Sequence, residues 1–368
     1  MRIAIDAREL HGKPTGVGRF LGELLSAWKT LPEAQEHEFV LLAPDGSSST
    51  GGTLWEQMVL PGLARDAGAR VLFAPGYSGP ILPTIPMVVA IHDVSFAAHP
   101  EWFSWREGAR RRTSVQLAAR AAVRVITISE FSKREIVAHL GIEESKVVVV
   151  YPGIADLTAI TPRRSGDDLS IAARTLRVRD TSTVLFVGSI FNRRHVPEMI
   201  DGFARLARTR ADIQLEIVGE NRTSPHINLE SIVRATGLFG CIRLRSYVPD
   251  EELQSLYASS AAFVFLSEYE GFGLTPLEAL AAGLPVLLLD TPVAREVCDD
   301  AARYVARPDP ALIEDSLRAL LFDAGERERI LAAAPRVLAR YSWADCAKRV
   351  LRVLVEAGAR GPKGSAPL

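Results

Sequence analysis

Residues 267–278 carry the side chains with the clearest capacity for chemistry in this 368-residue sequence. The segment reads SEYEGFGLTPLE and follows residues 262–266, an apolar run that predicts a buried strand. Glu270 and Glu278 would lie ~12 Å apart if a single helix joined them. That separation is too wide for one metal ion or one shared proton, but it suits the two ends of an elongated ligand rich in hydroxyl groups. Carboxylates accept hydrogen bonds from paired hydroxyls, as ribose recognition shows.

The same segment also supports a structural interpretation. Thr275, Pro276 and Glu278 have the spacing of a capping box with proline at the first helical position, so Glu278 could serve only to begin a helix. Glu270 has no such role, because it lies in a loop flanked by glycine. The backbone N–H groups of residues 271–274 could hold a phosphate in that loop. Together with the two carboxylates, a phosphate site suggests a nucleotide-diphosphate sugar.

Two adjacent arginines follow another predicted strand, residues 184–188. They are Arg193 and Arg194, and a helix should begin just after them, near Pro197. Guanidinium groups bind phosphate oxygens through paired donors, and the N-terminus of a helix adds a favourable dipole. The turn therefore indicates an anion site, and an ordinary solvated basic turn is the alternative.

Two further features follow strands predicted nearer the N-terminus. Gly16, Gly18 and Gly22 come after the first strand, where glycine lets backbone N–H groups approach an anion, but their GxGxxxG spacing departs from the dinucleotide fingerprint. His92 follows the strand predicted for residues 87–91, where it could donate to an oxygen ligand or move a proton. A plain turn and a local hydrogen bond of the histidine are the alternatives.

Short apolar runs alternate with helical patterns along the chain, and most runs are apolar at nearly every position. Strands buried on both faces of a parallel sheet have this pattern, and the alternation predicts α/β units with right-handed crossovers. Ligands of such sheets bind beyond the carboxyl ends of the strands, where the residues above fall. The predicted strands are residues 3–7, 38–43, 71–73, 87–91, 123–128, 147–150, 184–188, 213–219, 242–244, 262–266 and 286–289.

The strand pattern is interrupted once, so we predict two doubly wound domains. Residues 1–155 form the first domain, residues 156–180 a charged linker, and residues 181–340 the second domain. Residues 341–357 have the pattern of a helix that could pack back on the first domain. Residues 358–368 have little apolar content and predict a disordered tail.

Composition limits the class of protein. With 48% apolar residues, 24% charged residues and a net charge of −1, the chain is neither disordered nor strongly basic, so no nucleic-acid partner is expected. Three widely spaced cysteines predict neither a zinc knuckle nor a disulfide framework, and they fit a reducing compartment. No signal peptide or membrane span is predicted, so we expect a cytoplasmic protein.

These motifs together resemble the family-4 retaining glycosyltransferases, in particular the mannosyltransferase-like members of bacterial cell-surface polysaccharide pathways. The resemblance covers nearly all of residues 1–355, in order. It implies the GT-B fold, in which two Rossmann-like domains face a cleft, with the acceptor mainly on the first, the nucleotide sugar mainly on the second, and a terminal helix returning to the first. It rests on the specific E-x7-E stretch EGFGLTPLEALAAGLPV and on the weaker motifs IDARELHGKPTGVGRF, AIHDVSFAAHPEWF, ITISEFSKREI, VVVVYPGI and FVGSIFNRRHVPEMIDGFARL.

The resemblance also implies roles for individual residues. Glu278 would bind the ribose, Glu270 the donor sugar, and His92 the sugar near its reacting carbon. Arg193 and Arg194 would bind the diphosphate, and His92, Glu270 and Arg194 are the predicted catalytic residues. Gly16 would lie against the diphosphate, and the segment at Tyr247 would hold the base. The remaining predicted donor-binding residues are Gly18, Val248, Gly271, Phe272, Gly273 and Leu274.

Three positions depart from the family pattern. Ser189 stands where some members have a second phosphate-binding arginine, Arg194 replaces the usual lysine, and His195 replaces a common asparagine or glycine. We expect no metal, because the chain contains no Asp-x-Asp pair, and no cofactor beyond the donor substrate, for which analogy favours GDP-mannose. A non-catalytic protein that binds nucleotide sugars or carbohydrates is the alternative, whereas the missing GxGxxG argues against a dinucleotide oxidoreductase.

Residues 105–124 predict a basic helix in the first domain. One glutamate accompanies arginines at positions 106, 110, 111, 112, 120 and 124. Such a helix could rest on anionic lipid as a peripheral membrane contact or hold a lipid-diphosphate acceptor, and a solvated helix face is the alternative. The expected partners are therefore a nucleotide-sugar donor and a glycan or lipid-linked acceptor.

Overall fold

The computed structural model describes residues 1–11, 16–44, 52–154 and 182–359. The chain divides into two compact units. The first unit comprises Met1–Gly153 and the residues from Tyr341 onward, and the second unit comprises Ile154–Arg340. The predicted linker, residues 156–180, lies outside the described residues.

The first unit is built on a parallel sheet with the strand order β2-β1-β3-β4-β5-β6. Successive residues of β1 enter different core layers, because Ile3 and Ile5 pack on one face of the sheet and Ala4 packs on the other. Burial of both faces explains why the strands appear in the sequence as continuous apolar runs. The strands are β1 (Arg2–Asp6), β2 (Glu38–Leu42), β3 (Val71–Ala74), β4 (Met87–Ala90), β5 (Arg124–Thr127) and β6 (Val147–Val149).

Helices cover both faces of this sheet. Leu21 and Leu24 of the first helix join the core layer of Ile3, whereas Leu60 and Val115 join the layer of Ala4. The α-helices are α1 (Gly16–Thr30), α2 (Gly52–Leu54), α3 (Leu60–Asp66), α4 (Ser95–Ala98), α5 (Trp105–Ala121) and α6 (Glu130–Leu140). Short turns of 3-10 helix occupy Arg8–Leu10, Pro32–Glu36, Pro100–Trp102 and Glu144–Lys146, and a π-helical turn occupies Trp55–Val59.

The second unit also has a six-stranded parallel sheet, in the order β12-β11-β10-β7-β8-β9. Counted from β7, this is the 3-2-1-4-5-6 order of the Rossmann fold. Its strands are β7 (Ser182–Val187), β8 (Ile213–Val218), β9 (Ile242–Arg245), β10 (Ala262–Phe265), β11 (Val286–Leu289) and β12 (Arg303–Val305). Its α-helices are α7 (Val196–Ala207), α8 (Leu229–Thr236), α9 (Asp250–Ser259), α10 (Leu274–Ala281), α11 (Pro292–Cys298), α12 (Pro310–Phe322) and α13 (Ala324–Leu338), and Asn192–Arg194 forms a 3-10 turn. The two sheets confirm the predicted α/β class of doubly wound units.

The last helix, α14 (Trp343–Ala359), packs on the first unit. Trp28 Nε1 donates to the Ala347 carbonyl at 2.9 Å, and Gly153 lies so close to the helix that a Cβ there would be 2.2 Å from the Trp343 nitrogen. The helix includes Gly358, so the prediction that a tail begins at residue 358 is wrong for its first two residues. Glycine suits position 358 in this helix, because a Cβ there would lie only 3.0 Å from Met1 Cε, which is a tight contact. Residues 360–368 lie outside the described ranges.

Candidate active site

The loops after β7 and β10 lie at the switch point of the second sheet. β7 has β8 on one side and β10 on the other, so the direction of winding reverses between β7 and β10. In open α/β sheets the crevice beyond the carboxyl ends of such strands is the ligand-binding position. The loop after β7 carries Arg193 and Arg194, and the loop after β10 carries Glu270.

Arg194 and Glu270 form an ion pair at this position. Arg194 Nε and Nη2 donate to Glu270 Oε1 at 2.9 and 2.7 Å, and Ser267 Oγ donates to the same oxygen at 2.8 Å. Arg194 Nη1 donates to the Ser189 carbonyl at 2.6 Å, and its guanidinium carbon lies 4.7 Å from the centre of the Phe265 ring. The two charged side chains are only 12% and 20% exposed. The structure thus brings two predicted catalytic residues into direct contact.

Backbone contacts fix these two loops relative to each other. Gly188 has a φ of 145°, and a Cβ there would lie 2.6 Å from Arg194 Nη1, so the position requires glycine. The Glu268 N–H donates to the Arg193 carbonyl at 2.9 Å and joins the two loops directly. The Arg193 guanidinium lies 4.3 Å from the Phe191 ring centre, a favourable cation–π distance.

His195 adds a second ionic link between the loops, at the start of α7. Its φ of 50° lies in the left-handed region, which explains why asparagine and glycine also suit this position. Nε2 lies 2.9 Å from Glu268 Oε1, and Nδ1 lies 3.5 Å from Glu198 Oε1. Burial opposes the charged form, but hydrogen bonds to the two carboxylates raise the pKa of His195 above its ordinary value. The structure therefore favours positive charge beside Arg194.

The predicted capping box at Thr275 and Glu278 is wrong. α10 begins at Leu274, its N-cap is Gly273, and no side chain caps it. Gly273 has a φ of 101°, a conformation that glycine adopts without strain, so a backbone turn takes the place of the expected side-chain cap. Glu278 therefore lies inside the helix and does not begin it.

Glu278 is a buried carboxylate, 6% exposed, on α10. Tyr257 on α9 donates its hydroxyl to Glu278 Oε2 at 3.3 Å and is itself buried. Burial of a carboxylate is costly unless hydrogen bonds compensate, and Tyr257 supplies one of them. Sequence reasoning missed Tyr257, because nothing in the pattern of α9 marks it as the partner of a residue in a different helix.

The other predicted donor-binding residues of the second unit differ in exposure. Phe272 is buried, whereas Gly271 and Leu274 are half-buried. Tyr247, in the loop after β9, is 78% exposed, and its neighbour Val248 is buried. Val248 therefore anchors that loop and leaves the tyrosine ring accessible.

His92 follows β4 in the first unit and is buried, with Phe20 and Tyr77 rings 5.0 and 5.4 Å from its own. Its Nε2 lies 3.0 Å from the Pro75 carbonyl, which can only accept, so Nε2 carries a proton. Burial lowers the pKa of His92, which favours the neutral ring. In that ring Nδ1 is an acceptor, so the geometry favours acceptance from a hydroxyl over the donation that the sequence suggested.

Gly16 and Gly18 also lie in the first unit. Gly16 is the first residue of α1, is exposed, and has open space where a Cβ would be, whereas Gly18 is buried. Residues 12–15, which precede α1, lie outside the described ranges. The predicted residues in the second unit are Arg193, Arg194, Tyr247, Val248, Glu270, Gly271, Phe272, Gly273, Leu274 and Glu278.

The basic helix predicted for residues 105–124 is α5 followed by part of β5. Trp105 is 76% exposed, and the Arg106 guanidinium lies 5.4 Å from its ring centre. Arg111 pairs with Glu107 at 2.6 Å. Arg124 begins β5 and is half-buried, so it does not belong to the basic helix face.

Other features bear on the remaining sequence predictions. Among the helices in the described ranges, none is both long and apolar enough to span a bilayer. Over the same described ranges, no cluster of three or more His, Cys, Asp or Glu side chains is placed to hold a metal ion. The three cysteines are free thiols, and burial raises the pKa of Cys298 and Cys346 to about 12, so both remain protonated.

Two family models match the chain. Residues 37–156 match Glycosyltransferase Family 4, and residues 170–337 match Glycosyl transferases group 1. The chain is 26% identical over 265 residues to the O-antigen chain mannosyltransferase B of Escherichia coli, covering 72% of this chain and 68% of that protein. It is 31% identical over 219 residues to the D-inositol 3-phosphate glycosyltransferase of Frankia alni, covering 57% of this chain and 53% of that one.

Solved structures share the fold across nearly the whole chain. HepE of Anabaena, in complex with UDP and glucose, has a TM-score of 0.72 at 17% identity, with coverage of 97% of this chain and all of HepE. WaaG, a glycosyltransferase involved in lipopolysaccharide biosynthesis, has a TM-score of 0.69 at 17% identity, with coverage of 96% and 99%. With both halves matched by glycosyltransferase models and the two Rossmann-like sheets in place, the chain belongs to the family-4-like glycosyltransferases of the GT-B fold.

Proposed function

We propose that this protein is a retaining glycosyltransferase that moves a hexose from a nucleotide-diphosphate sugar to a glycan or lipid-linked acceptor in cell-surface polysaccharide assembly. The observation that carries the proposal is the Arg194–Glu270 ion pair at the switch point of a Rossmann-ordered sheet. A cation and a carboxylate there suit a ligand that joins a diphosphate to a hydroxyl-rich sugar.

The diphosphate leaves with developing negative charge, which the enzyme must stabilise. Arg193 and Arg194 are fixed by stacking and hydrogen bonds before any ligand binds, so they need little rearrangement during the reaction. Protonated His195 adds charge at the same turn. These cations support a reaction that needs no metal ion, and we propose metal independence on that basis.

The sugar and the ribose have separate carboxylates in this proposal. Glu270 accepts from sugar hydroxyls on the side of the carboxylate away from Arg194, and Glu278 accepts from the ribose hydroxyls. The loop at Gly271 supplies backbone N–H donors, and exposed Tyr247 offers a ring face to the base. His92, with Nδ1 as acceptor, holds a sugar hydroxyl near the reacting carbon. Retention implies attack from the face of the leaving group, and we assign no protein nucleophile.

The proposed donor is GDP-mannose, because the mannosyltransferase of Escherichia coli is among the similar proteins. HepE was solved with UDP and glucose, so UDP-glucose is the donor to compare. We further propose a cytoplasmic location, with α5 resting on the inner membrane face through Trp105 and the arginines of its exposed face. A lipid-linked acceptor would then be presented at the same surface.

A donor screen tests this function. The full chain is incubated with GDP-mannose, UDP-glucose and other nucleotide sugars, with and without lipid-linked acceptors, and products are followed by mass spectrometry. The proposal expects transfer from one donor with the anomeric configuration kept and no loss of rate in EDTA. Donor binding without turnover on any acceptor would favour the non-catalytic alternative, and failure of every nucleoside diphosphate to bind would contradict both.

A further inference from the structure

A polar cavity of about 180 Å³ lies at the switch point of the first sheet, between the loops that follow β1 and β3. It is lined by Asp6, Arg8, Glu9, Pro75, Gly76 and Ser78. The cavity volume is about six times the ~30 Å³ that one water molecule takes in the liquid, so the cavity can admit a group as large as a sugar ring. None of the roles described above uses it.

The guanidinium of Arg8 is already engaged by protein groups. Arg8 Nη2 donates to Asp6 Oδ2 at 2.6 Å and to Glu56 Oε2 at 2.5 Å, while Nε donates to both Asp6 oxygens and Nη1 donates to the Gly52 carbonyl. A guanidinium has five N–H donors, so at most one is left for a ligand. Arg8 therefore lacks the paired donors that bind a phosphate.

The charges around the cavity also disfavour an anion. Among the described residues that line or adjoin it, the carboxylates of Asp6, Glu9 and Glu56 outnumber the single guanidinium of Arg8. Asp6 and Glu56 are 5% and 3% exposed, so their charges are poorly screened by water. A bound phosphate or carboxylate would face net negative charge, whereas hydroxyl groups could donate to the carboxylate oxygens.

The cavity adjoins the predicted catalytic histidine within the same unit. Pro75, which lines the cavity, accepts the hydrogen bond from His92 Nε2 at 3.0 Å. Ser78, also in the lining, donates to Glu56 Oε2 at 2.7 Å, so its hydroxyl oxygen retains lone pairs for a ligand. Pro75 therefore connects the wall of the cavity to His92, the residue proposed to hold the donor sugar.

We infer that this cavity binds an uncharged, hydroxyl-rich pyranose ring of the acceptor and rejects a phosphorylated ring. This inference rests on the proposed transferase function and adds the class of acceptor that the site accepts. Asp6 and Glu9 accept hydrogen bonds from the hydroxyls of the ring. Gly76 has no side chain and so leaves space for the ring. A Cβ at Gly76 would lie 3.4 Å from the Cγ atom of Glu9, which also lines the cavity.

Ligand-observed NMR on the full chain tests this inference with methyl α-mannoside, methyl α-glucoside and mannose 6-phosphate. The wild-type protein should bind at least one neutral glycoside and bind the phosphate ester at least roughly tenfold more weakly, because like charges in a binding site are repulsive. Gly76→Val fills the cavity and should weaken glycoside binding by at least roughly tenfold. Glu9→Lys should shift the preference toward mannose 6-phosphate.

Gly62→Val is the matched control, because nothing lies within 4 Å of a Cβ at Gly62 on α3 of the same unit. Failure to bind any neutral glycoside, equal binding of the phosphate ester, or unchanged glycoside binding in folded Gly76→Val protein would each overturn the inference. If Gly76→Val does not fold, Glu9→Lys decides, and an unchanged preference overturns the inference. Binding of GDP and UDP is measured in parallel. Absence of nucleotide binding would contradict the proposed transferase function, whereas glycoside binding tests the acceptor cavity separately.

Discussion

Arg194 and Glu270 are 76 residues apart in the sequence, yet the arginine donates from two nitrogens to a single oxygen of the glutamate. The other oxygen of Glu270, Oε2, receives neither of these bonds. In the proposed function, Arg194 of this pair contacts the diphosphate of the donor and Glu270 contacts its sugar.

Arg194→Ala should reduce transfer by roughly 10²–10³-fold, as removal of a preorganised charge-stabilising donor does. Its cost in stability should be only about 1–3 kcal/mol, because Ser267 still donates to Glu270. Arg194→Lys keeps the charge and should stay within about tenfold of wild-type. Initial rates and thermal unfolding measured on the same preparations separate the two effects.

Arg318→Ala is the control for Arg194, since Arg318 is an exposed partner of Glu314 on α12. It should leave both rate and melting temperature near wild-type values. If Arg194→Ala lost rate only in proportion to folded protein, the ion pair would be structural and the proposed phosphate contact would be wrong.

Tyr257→Phe should raise the KM for the donor by roughly 3–10-fold with little change in kcat. In the proposed function, the Tyr257 hydroxyl orients the ribose-binding Glu278 and does not contact the reacting atoms. One hydrogen bond to a charged group is worth about 1.5–3 kcal/mol at most. Steady-state kinetics with varied donor measure this split. Tyr304→Phe is the comparison, because its hydroxyl bonds only the carbonyls of Ala294 and Asp299 among the described contacts, and it should lower the melting temperature without changing KM.

His195 and His92 should affect stability in opposite directions as pH changes. The pKa of His195 is raised in the folded state, so its contribution is fully present below the ordinary value of about 6.5 and is lost as pH rises through the folded pKa. The difference in melting temperature between wild-type and His195→Asn should therefore be largest near pH 6 and shrink at alkaline pH. Asparagine keeps the left-handed backbone, which isolates the effect of the ring.

For His92 the dependence of stability on pH has the opposite sign. Burial lowers its pKa, so the unfolded chain binds the proton more readily than the folded one, and stability falls as pH drops below about 6.5. The wild-type melting temperature should decline toward acid more steeply than that of His92→Asn. Parallel melting curves for the two proteins would contradict a buried neutral imidazole.

The variant Trp105→Ala/Arg106→Gln/Arg110→Gln should weaken binding to vesicles containing anionic lipid by at least roughly tenfold, because each basic residue near such a surface contributes about 1 kcal/mol. Transfer to a water-soluble acceptor should be unaffected. Cosedimentation with anionic and zwitterionic vesicles measures the first property. Equal binding of wild-type and variant protein would show that α5 is a solvated face, as the alternative holds.

Most strands could be predicted from the sequence because their residues are buried on both faces of a sheet, whereas the edge strand β2 is only partly buried. Val286–Leu289 was predicted with its observed limits, and most other strands agreed within one or two residues. β12 was missed, since Arg303–Val305 has only three residues and begins with a charge. The start of α10 was also wrong, because Thr275 and Glu278 imitate a capping box whereas the left-handed conformation of Gly273 is visible only in the structure.

The candidate site was predictable as a set of residue types but not as a geometry. Glu270 and Arg194 stood out because each follows an apolar strand in a polar turn, which is a local signal. Their contact depends on β7 and β10 being neighbours, and the order of strands in a sheet is not a local property. The contact between Tyr257 and Glu278 could not be predicted for the same reason, because the two residues lie on different helices.

The position of α14 has a consequence for the order in which the protein can fold during synthesis. Ala347, Val350, Leu351 and Leu354 belong to the core that covers one face of the first sheet, but the ribosome adds them only after the whole second unit. Domains otherwise tend to fold from the N-terminus as they are made. Here the second unit can complete its core first. One apolar face of the first sheet then remains partly uncovered until α14 has been synthesised.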